Sequence, residues 1–268
     1  MKIKSAFIWV SLLCSAVLAT IDSAKAASFV SNVSQNTNPK ADINLLSIIQ
    51  NGTTINSFSY VNKADIDTTL QNKKNGPAST DRGDNATSPF APAELPSNEA
   101  IAKFLGNNNL NNIIDTEDDG SFVIDVFFDN EIVQDNSGLD NLFFWERGMN
   151  SDLGIQALDI AGNVIGKFKK ITEIRNSNNY AGFQIDTKEI GGSQKVGSWG
   201  VSLQELEVEK LSGLRLTSQA DYKGPDFKVI ARNGGNKTEI PEPTTILGLG
   251  AVAGMAFLSR RQKMLKNS

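Results

Sequence analysis

The chain has 268 residues, with 26 Lys plus Arg, 30 Asp plus Glu, a single Cys and no His. Without His, the Ser-His-Asp triad, the Cys-His dyad and every His-containing metal site are excluded. The one thiol, Cys14, lies in an apolar N-terminal stretch. If that stretch is removed, no disulfide, Cys-ligated zinc or iron–sulfur cluster can form.

Lys2 and Lys4 precede an apolar run that reaches Ala19, and Ala24-Lys25-Ala26 puts small residues where a signal peptidase reads them. Residues 1–26 are expected to be a cleaved secretory signal. The run is about 13 to 16 residues long, against the roughly 20 that a membrane-spanning helix needs. The two ends of the chain, 1–26 and 240–268, hold seven basic and two acidic residues. The body between them therefore has 19 basic and 28 acidic residues, a net charge of about −9. Such a body argues against a nucleic-acid partner, whose phosphates need Lys and Arg.

Through the body, Asn, Asp and Gly separate short apolar runs, the pattern of an all-β domain. Ile43 to Gln50, Asn51-Gly52 and Thr54 to Val61 predict a hairpin on a type I′ turn. Gln71 to Pro96 carries Pro77, Pro89, Pro92 and Pro96 with almost no apolar material, and is expected to be a mobile surface loop. It includes Arg82-Gly83-Asp84, which reads as a chance or turn tripeptide. Ser97 predicts the cap of a helix through Ile101, Phe104 and Leu105, ended by Gly106.

Asp115-Thr116-Glu117-Asp118-Asp119-Gly120 spaces acidic groups as in a calcium loop, but Val126 stands where that loop has its bidentate Glu. Two readings fit: an acidic turn before a strand, or a weak Ca²⁺ site on Asp115, Glu117 and Asp119. Strands are predicted at Phe122 to Phe128 and Leu142 to Glu146. Alternation sets Phe144 opposite Phe143 and Trp145, and Glu146 opposite Arg147. Trp145 and Trp199 read either as core or as flat platforms for sugar rings. Glu146 with Asp152 or Asp125 is a nameable carboxylate pair for glycoside hydrolysis, but no spacing singles it out.

Ile155 to Ile160 and Val164 to Phe168 flank Ala161-Gly162-Asn163 as a second hairpin. Tyr180 to Ile185, Val196 to Leu203, Gly213 to Ser218 and Phe227 to Ala231 complete the strands, and Leu203 to Leu211 is a weaker helix candidate. The expected fold is one mainly β domain over residues 27–232, a β-sandwich of jelly-roll type with one or two short helices.

Residues 233–240 read as a polar linker. Pro241-Glu242-Pro243 follows, then the uncharged apolar stretch Thr244 to Leu258, then Arg260, Arg261, Lys263 and Lys266. As a helix the apolar part is about 22 Å long, and snorkelling Arg side chains extend it toward a ~30 Å hydrocarbon core. The basic end predicts a cytoplasmic C-terminus and an outside N-terminus.

Pro-Glu-Pro, an apolar helix and an Arg-rich end, in that order, resemble a PEP-CTERM sorting signal. That resemblance implies processing at Pro241, Glu242 and Pro243 by exosortase, a membrane protease–transpeptidase of bacteria that make exopolysaccharide. Arg260, Arg261 and Lys263 would then stop transfer through the inner membrane. Residues 77–85 (Pro77 to Asn85), 104–110 (Phe104 to Leu110), 143–148 (Phe143 to Gly148) and 224–229 (Gly224 to Val229) resemble exosortase-dependent surface proteins of photosynthetic bacteria. No enzymatic activity is assigned to that family. The resemblance implies a secreted envelope protein with exosortase as a partner, beside the signal peptidase that the N-terminus implies. The leading expectation is a non-catalytic surface or matrix protein without a cofactor; the alternatives are an exopolysaccharide-binding module and, less favoured, a carboxylate-dependent glycoside hydrolase.

Overall fold

The computed structural model describes residues 29–34, 38–67, 78–87, 91–172 and 177–233. The expected signal segment 1–26, nearly all of the linker and the tail 241–268 lie outside the described residues. In chain order the elements are β1 (Val30–Val33), β2 (Leu45–Gln50), β3 (Thr53–Ile55), β4 (Phe58–Ser59), β5 (Val61–Ile66), β6 (Ser79–Arg82), α1 (Asn98–Leu105), β7 (Asn112–Asp115), β8 (Phe122–Val133), β9 (Leu142–Arg147), β10 (Leu153–Leu158), β11 (Val164–Ile171), β12 (Tyr180–Ile185), β13 (Gln194–Val201), β14 (Lys210–Ser218) and β15 (Phe227–Arg232). The domain is mainly β, as its composition predicts.

Asn51 and Gly52 both adopt positive φ (51° and 77°), as a type I′ turn requires. They join β2 to β3 with Gln50 opposite Thr53. The predicted second arm of that hairpin, however, breaks after Ile55. β4 pairs with β15 and β5 with β8, so one apolar run is shared among three sheets. The second predicted hairpin forms, with Leu158 opposite Val164. Asp159 Oδ1 tightens its turn by accepting from the backbone N–H of Ala161 and of Asn163.

α1 starts where Ser97 Oγ accepts from the Ala100 N–H at 3.2 Å, and it buries Ile101, Phe104 and Leu105. The weaker helix candidate is corrected: Leu203–Leu206 makes one 3₁₀ turn only. Glu205 caps it by accepting from the Ser202 N–H, Glu207 turns left-handed at φ 56°, and β14 begins at Lys210.

All strand pairs are antiparallel, in three sheets. The five-stranded sheet has the order β11-β10-β14-β8-β5 and the largest has β12-β13-β9-β15-β7-β6, with β4 on β15. β1-β2-β3 forms the third. From β7 to β15 the chain changes between the two large sheets at every connection except the β10–β11 and β12–β13 hairpins. One core lies between them, where Ile124, Ile155, Leu214 and Leu216 meet Phe144, Val201, Phe227 and Val229. A second lies between the largest sheet and β1–β3, where Phe143, Trp145, Val196 and Ile230 meet Phe29, Leu45 and Ile48. The Phe29 ring stands edge-on to Phe143 and Trp145, with centroids 4.9 and 5.5 Å away.

The largest sheet is thus covered on both faces, and every residue of β9 and β15 is buried. This is why Phe143-Phe144-Trp145 reads as an unbroken apolar run yet splits between two cores, as alternation requires.

The expectation of a mobile surface loop over 71–96 is corrected for 78–87. Ser79–Arg82 is β6, paired with β7, and Ser79, Thr80 and Asp81 are buried. Its polar residues find partners inside: Ser79 Oγ donates to Asp115 O, Thr80 Oγ1 accepts from the Ala93 N–H, and Asp81 meets Arg147, none of which a reading of apolar content detects.

Candidate functional site

Strands β9, β15, β7 and β6 are consecutive neighbours in the largest sheet, and a buried charge cluster forms across them. Arg147 is the last residue of β9 and shares a face with Phe143 and Trp145. Its Nη2 donates to Asp115 Oδ2 and to Asp226 Oδ2, both at 2.8 Å, and its Nε reaches Asp226 at 3.2 Å. Its Nη1 donates to Asp81 Oδ2 at 3.4 Å and to Thr187 Oγ1. Asp115 ends β7, Asp81 lies within β6, and Asp226 immediately precedes β15.

The carboxylates are held from behind by backbone. Asp226 Oδ1 accepts from the Thr116 N–H at 3.0 Å. Asp81 Oδ1 accepts from the N–H groups of Arg82 and Lys188, and its Oδ2 from that of Glu189. Burial opposes the charge on Arg147, but Asp226, Asp115 and Asp81 more than offset this, and its pKa is raised. Burial, reinforced by Asp115, holds Asp226 well above the ordinary carboxylate range. Burial also raises Asp81. Glu189 is exposed as a residue, yet desolvation of its carboxyl and the neighbouring Asp115 push it up to about 8.

Asp81, Asp115 and Glu189 are the one group among the described residues whose metal-ligating atoms all lie within 4.8 Å of one another. A polar cavity of about 360 Å³ adjoins them, lined by Asp115, Thr116, Glu117, Glu189, Lys223 and Asp226 among others. Thr116 in its wall is only 4% exposed, and its Oγ1 has no hydrogen-bond partner.

The structure therefore separates the residues expected to form a calcium loop. Asp115 turns to Arg147, Glu117 is exposed on the cavity wall, and Asp119 is exposed outside it. The sugar-stacking reading of the two indoles is corrected. Trp145 is 1% exposed and donates from Nε1 to Ser31 Oγ at 2.9 Å, and Trp199 is 7% exposed in the core between the large sheets. Neither ring presents a free face, because β9 and β13 lie inside the layered stack.

The nameable carboxylate pair is also dispersed. Asp125 makes a bidentate pair with Arg215 and Asp152 pairs with Lys170. Glu146 is 1% exposed, and burial pushes it up to about 8 against the lowering influence of Ser151, the Met149 and Asn150 backbone and Arg147. In Arg82-Gly83-Asp84, Asp84 pairs with Lys40 at 2.9 Å. A Cβ on Gly83 would lie 2.2 Å from the Lys40 carbonyl oxygen, so only Gly fits that crossing.

Sequence reasoning missed Asp81, Arg147, Thr187, Glu189 and Asp226 as a group. A signal did exist: three of the four internal segments that carry the resemblance supply Asp81, Arg147 and Asp226. The fourth meets the same sheet through Lys228, whose buried Nζ donates to Phe104 O at 2.5 Å and Asn107 Oδ1 at 3.2 Å. Burial lowers the pKa of that amine well below its ordinary value. Pro241, Glu242, Pro243, Arg260, Arg261 and Lys263 lie outside the described residues. Among the described residues, no helix is long and apolar enough to cross a membrane.

No protein-family model matches the chain, nor does any curated protein or solved structure.

Proposed function

We propose that the chain is a secreted, envelope-sorted surface or matrix protein without catalytic activity, whose tail is processed by an exosortase after signal peptidase removes residues 1–26. The observation that carries this reading is the succession at the C-terminus: Pro241-Glu242-Pro243, the uncharged Thr244 to Leu258, and Arg260, Arg261 and Lys263. A helix of this kind holds the chain in the inner membrane, and its basic end keeps the last residues cytoplasmic. The acidic, His-free body suits a domain exposed to solvent outside the cell.

For the domain, the reading is a jelly-roll sandwich. What supports it is the facing of β7-β15-β9-β13 on β8-β14-β10-β11, with the chain crossing repeatedly between the two sets. The non-catalytic reading is supported by the engagement of Asp125, Asp152 and the Arg147 carboxylates in ion pairs.

A second reading, binding of exopolysaccharide, is favoured by one observation. The 360 Å³ cavity also presents Asn150 and Gln194, amides suited to sugar hydroxyls, beside its carboxylates.

The test is expression of the full chain in a bacterium that has the sorting enzyme, with mass spectrometry of its C-terminus and fractionation of the cells. The wild-type chain is expected to lose its tail and reach the envelope or medium. The double variant Arg260→Glu, Arg261→Glu is expected to stay unprocessed, and unchanged processing of that variant would overturn the reading.

A further inference from the structure

The Arg147 cluster holds more negative charge than its cation offsets. Asp81, Asp115 and Asp226 all contact the guanidinium, and Glu189 brings a fourth carboxylate within 4.8 Å of Asp81 and Asp115. Four carboxylates around one guanidinium, with only Lys223 as a further cation on the cavity wall, are an excess of acidic groups at a largely buried site. Like charges withdrawn from water are unfavourable unless a cation or protons balance them.

An independent feature points to a ligand rather than to protons alone. Thr116 lines the same cavity, is 4% exposed and leaves Oγ1 without a hydrogen-bond partner. Buried hydroxyls are nearly always paired, and an unpaired one is a free oxygen donor.

We propose that Ca²⁺ binds at the inner wall of this cavity, through the carboxylates of Asp115 and Glu189 and the hydroxyl of Thr116, which line it, and the carboxylate of Asp81, which lies behind them within 4.8 Å. The donors are all hard oxygens, which excludes metals that prefer sulfur or imidazole. They come from three separate segments: β6, the end of β7 with the residue after it, and the stretch between β12 and β13. Ca²⁺ accepts six to eight oxygens in variable geometry, whereas Mg²⁺ demands near-ideal octahedral placement. Water in the cavity completes the shell. Arg147 is a positioning residue, since its contacts to Oδ2 of Asp81 and of Asp115 hold both side chains in place. This ligand set differs from a linear loop on Asp115, Glu117 and Asp119, because Asp119 is outside the cavity.

The experiment is thermal unfolding and isothermal calorimetry of the purified full chain with CaCl₂, with MgCl₂ and with chelator. The wild-type chain is expected to show a saturable one-site rise in Tm with Ca²⁺, and weaker binding of Mg²⁺. Glu189→Gln and Thr116→Val are each expected to weaken Ca²⁺ binding by on the order of tenfold. Thr116→Val should melt no lower than wild type in chelator, because the lost hydroxyl made no hydrogen bond. Asp119→Asn is expected to bind as wild type. A wild-type chain without a saturable Ca²⁺ shift overturns the proposal. So does a Thr116→Val chain that binds as tightly as wild type, or loss of binding in Asp119→Asn with retention in Glu189→Gln.

Discussion

Replacing Glu146 with Gln is expected to flatten the fall in stability that the wild-type chain shows between pH 5 and pH 8. Glu146 sits in β9, 1% exposed, and burial outweighs its contacts with Ser151 and the Met149 and Asn150 backbone, raising it from 4.5 to about 8. Below pH 4.5 the folded and unfolded states both carry the proton, and Glu146 costs nothing electrostatically. Between 4.5 and 8 the unfolded chain releases the proton while the folded chain keeps it, so stability falls as pH rises. Each unit of pH in that window is worth about 1.4 kcal/mol. From pH 5 to pH 7.5 the loss through this one group is therefore roughly 3 kcal/mol.

Gln does not titrate, so the variant escapes that loss. Its buried amide carries its own desolvation cost, which lowers its stability at every pH by a similar amount. The informative quantity is therefore the difference in slope, not the stability at one pH. Asp81, Glu189 and Asp226 are also raised and also make stability fall with rising pH, and their share persists in the variant. Urea unfolding of both full chains at several pH values measures the two slopes. Equal slopes would show that Glu146 is ionised in the folded protein, and would refute the reasoning.

Removal of Arg147 as Arg147→Met leaves Asp81, Asp115 and Asp226 buried without their cation, and a loss of about 3–5 kcal/mol is expected by urea unfolding at pH 7. Because protonation relieves the three aspartates, that loss should shrink as the pH is lowered toward 4. Gly83→Ala places a methyl against the Lys40 carbonyl, where backbone must shift, and should lower stability in urea unfolding by about 1–3 kcal/mol. Ser31→Ala orphans the Trp145 indole N–H and should cost about 1 kcal/mol, with altered Trp fluorescence as a second readout.

The features legible in the sequence are those that depend on near neighbours. Asn51-Gly52 dictates its turn because few residues tolerate positive φ in succession. Ser97 starts α1 because its hydroxyl reaches an N–H three residues on. Phe143 to Arg147 divide between two faces because successive strand residues point oppositely. What misled was apolar content taken as a proxy for burial. It cast 78–87 as surface, although Asp81 is fully buried; for Trp145 and Trp199 the layered sheets decide for the core over the sugar-stacking alternative.

The succession of Pro-Glu-Pro, apolar stretch and basic end, the charge asymmetry between body and ends, the absence of His and the β-rich patterning follow from the chain read by itself, since each is a property of composition or short spacing. The Arg147 cluster does not. Asp81, Asp115, Arg147 and Asp226 are separated by 32 to 145 residues of chain, and they meet only because β6, β7, β15 and β9 lie side by side in one sheet. Which aspartates, of many in an acidic chain, lose their water and share one guanidinium is decided by strand order and by what covers each face, because the cost of a charge depends on where the fold leaves it.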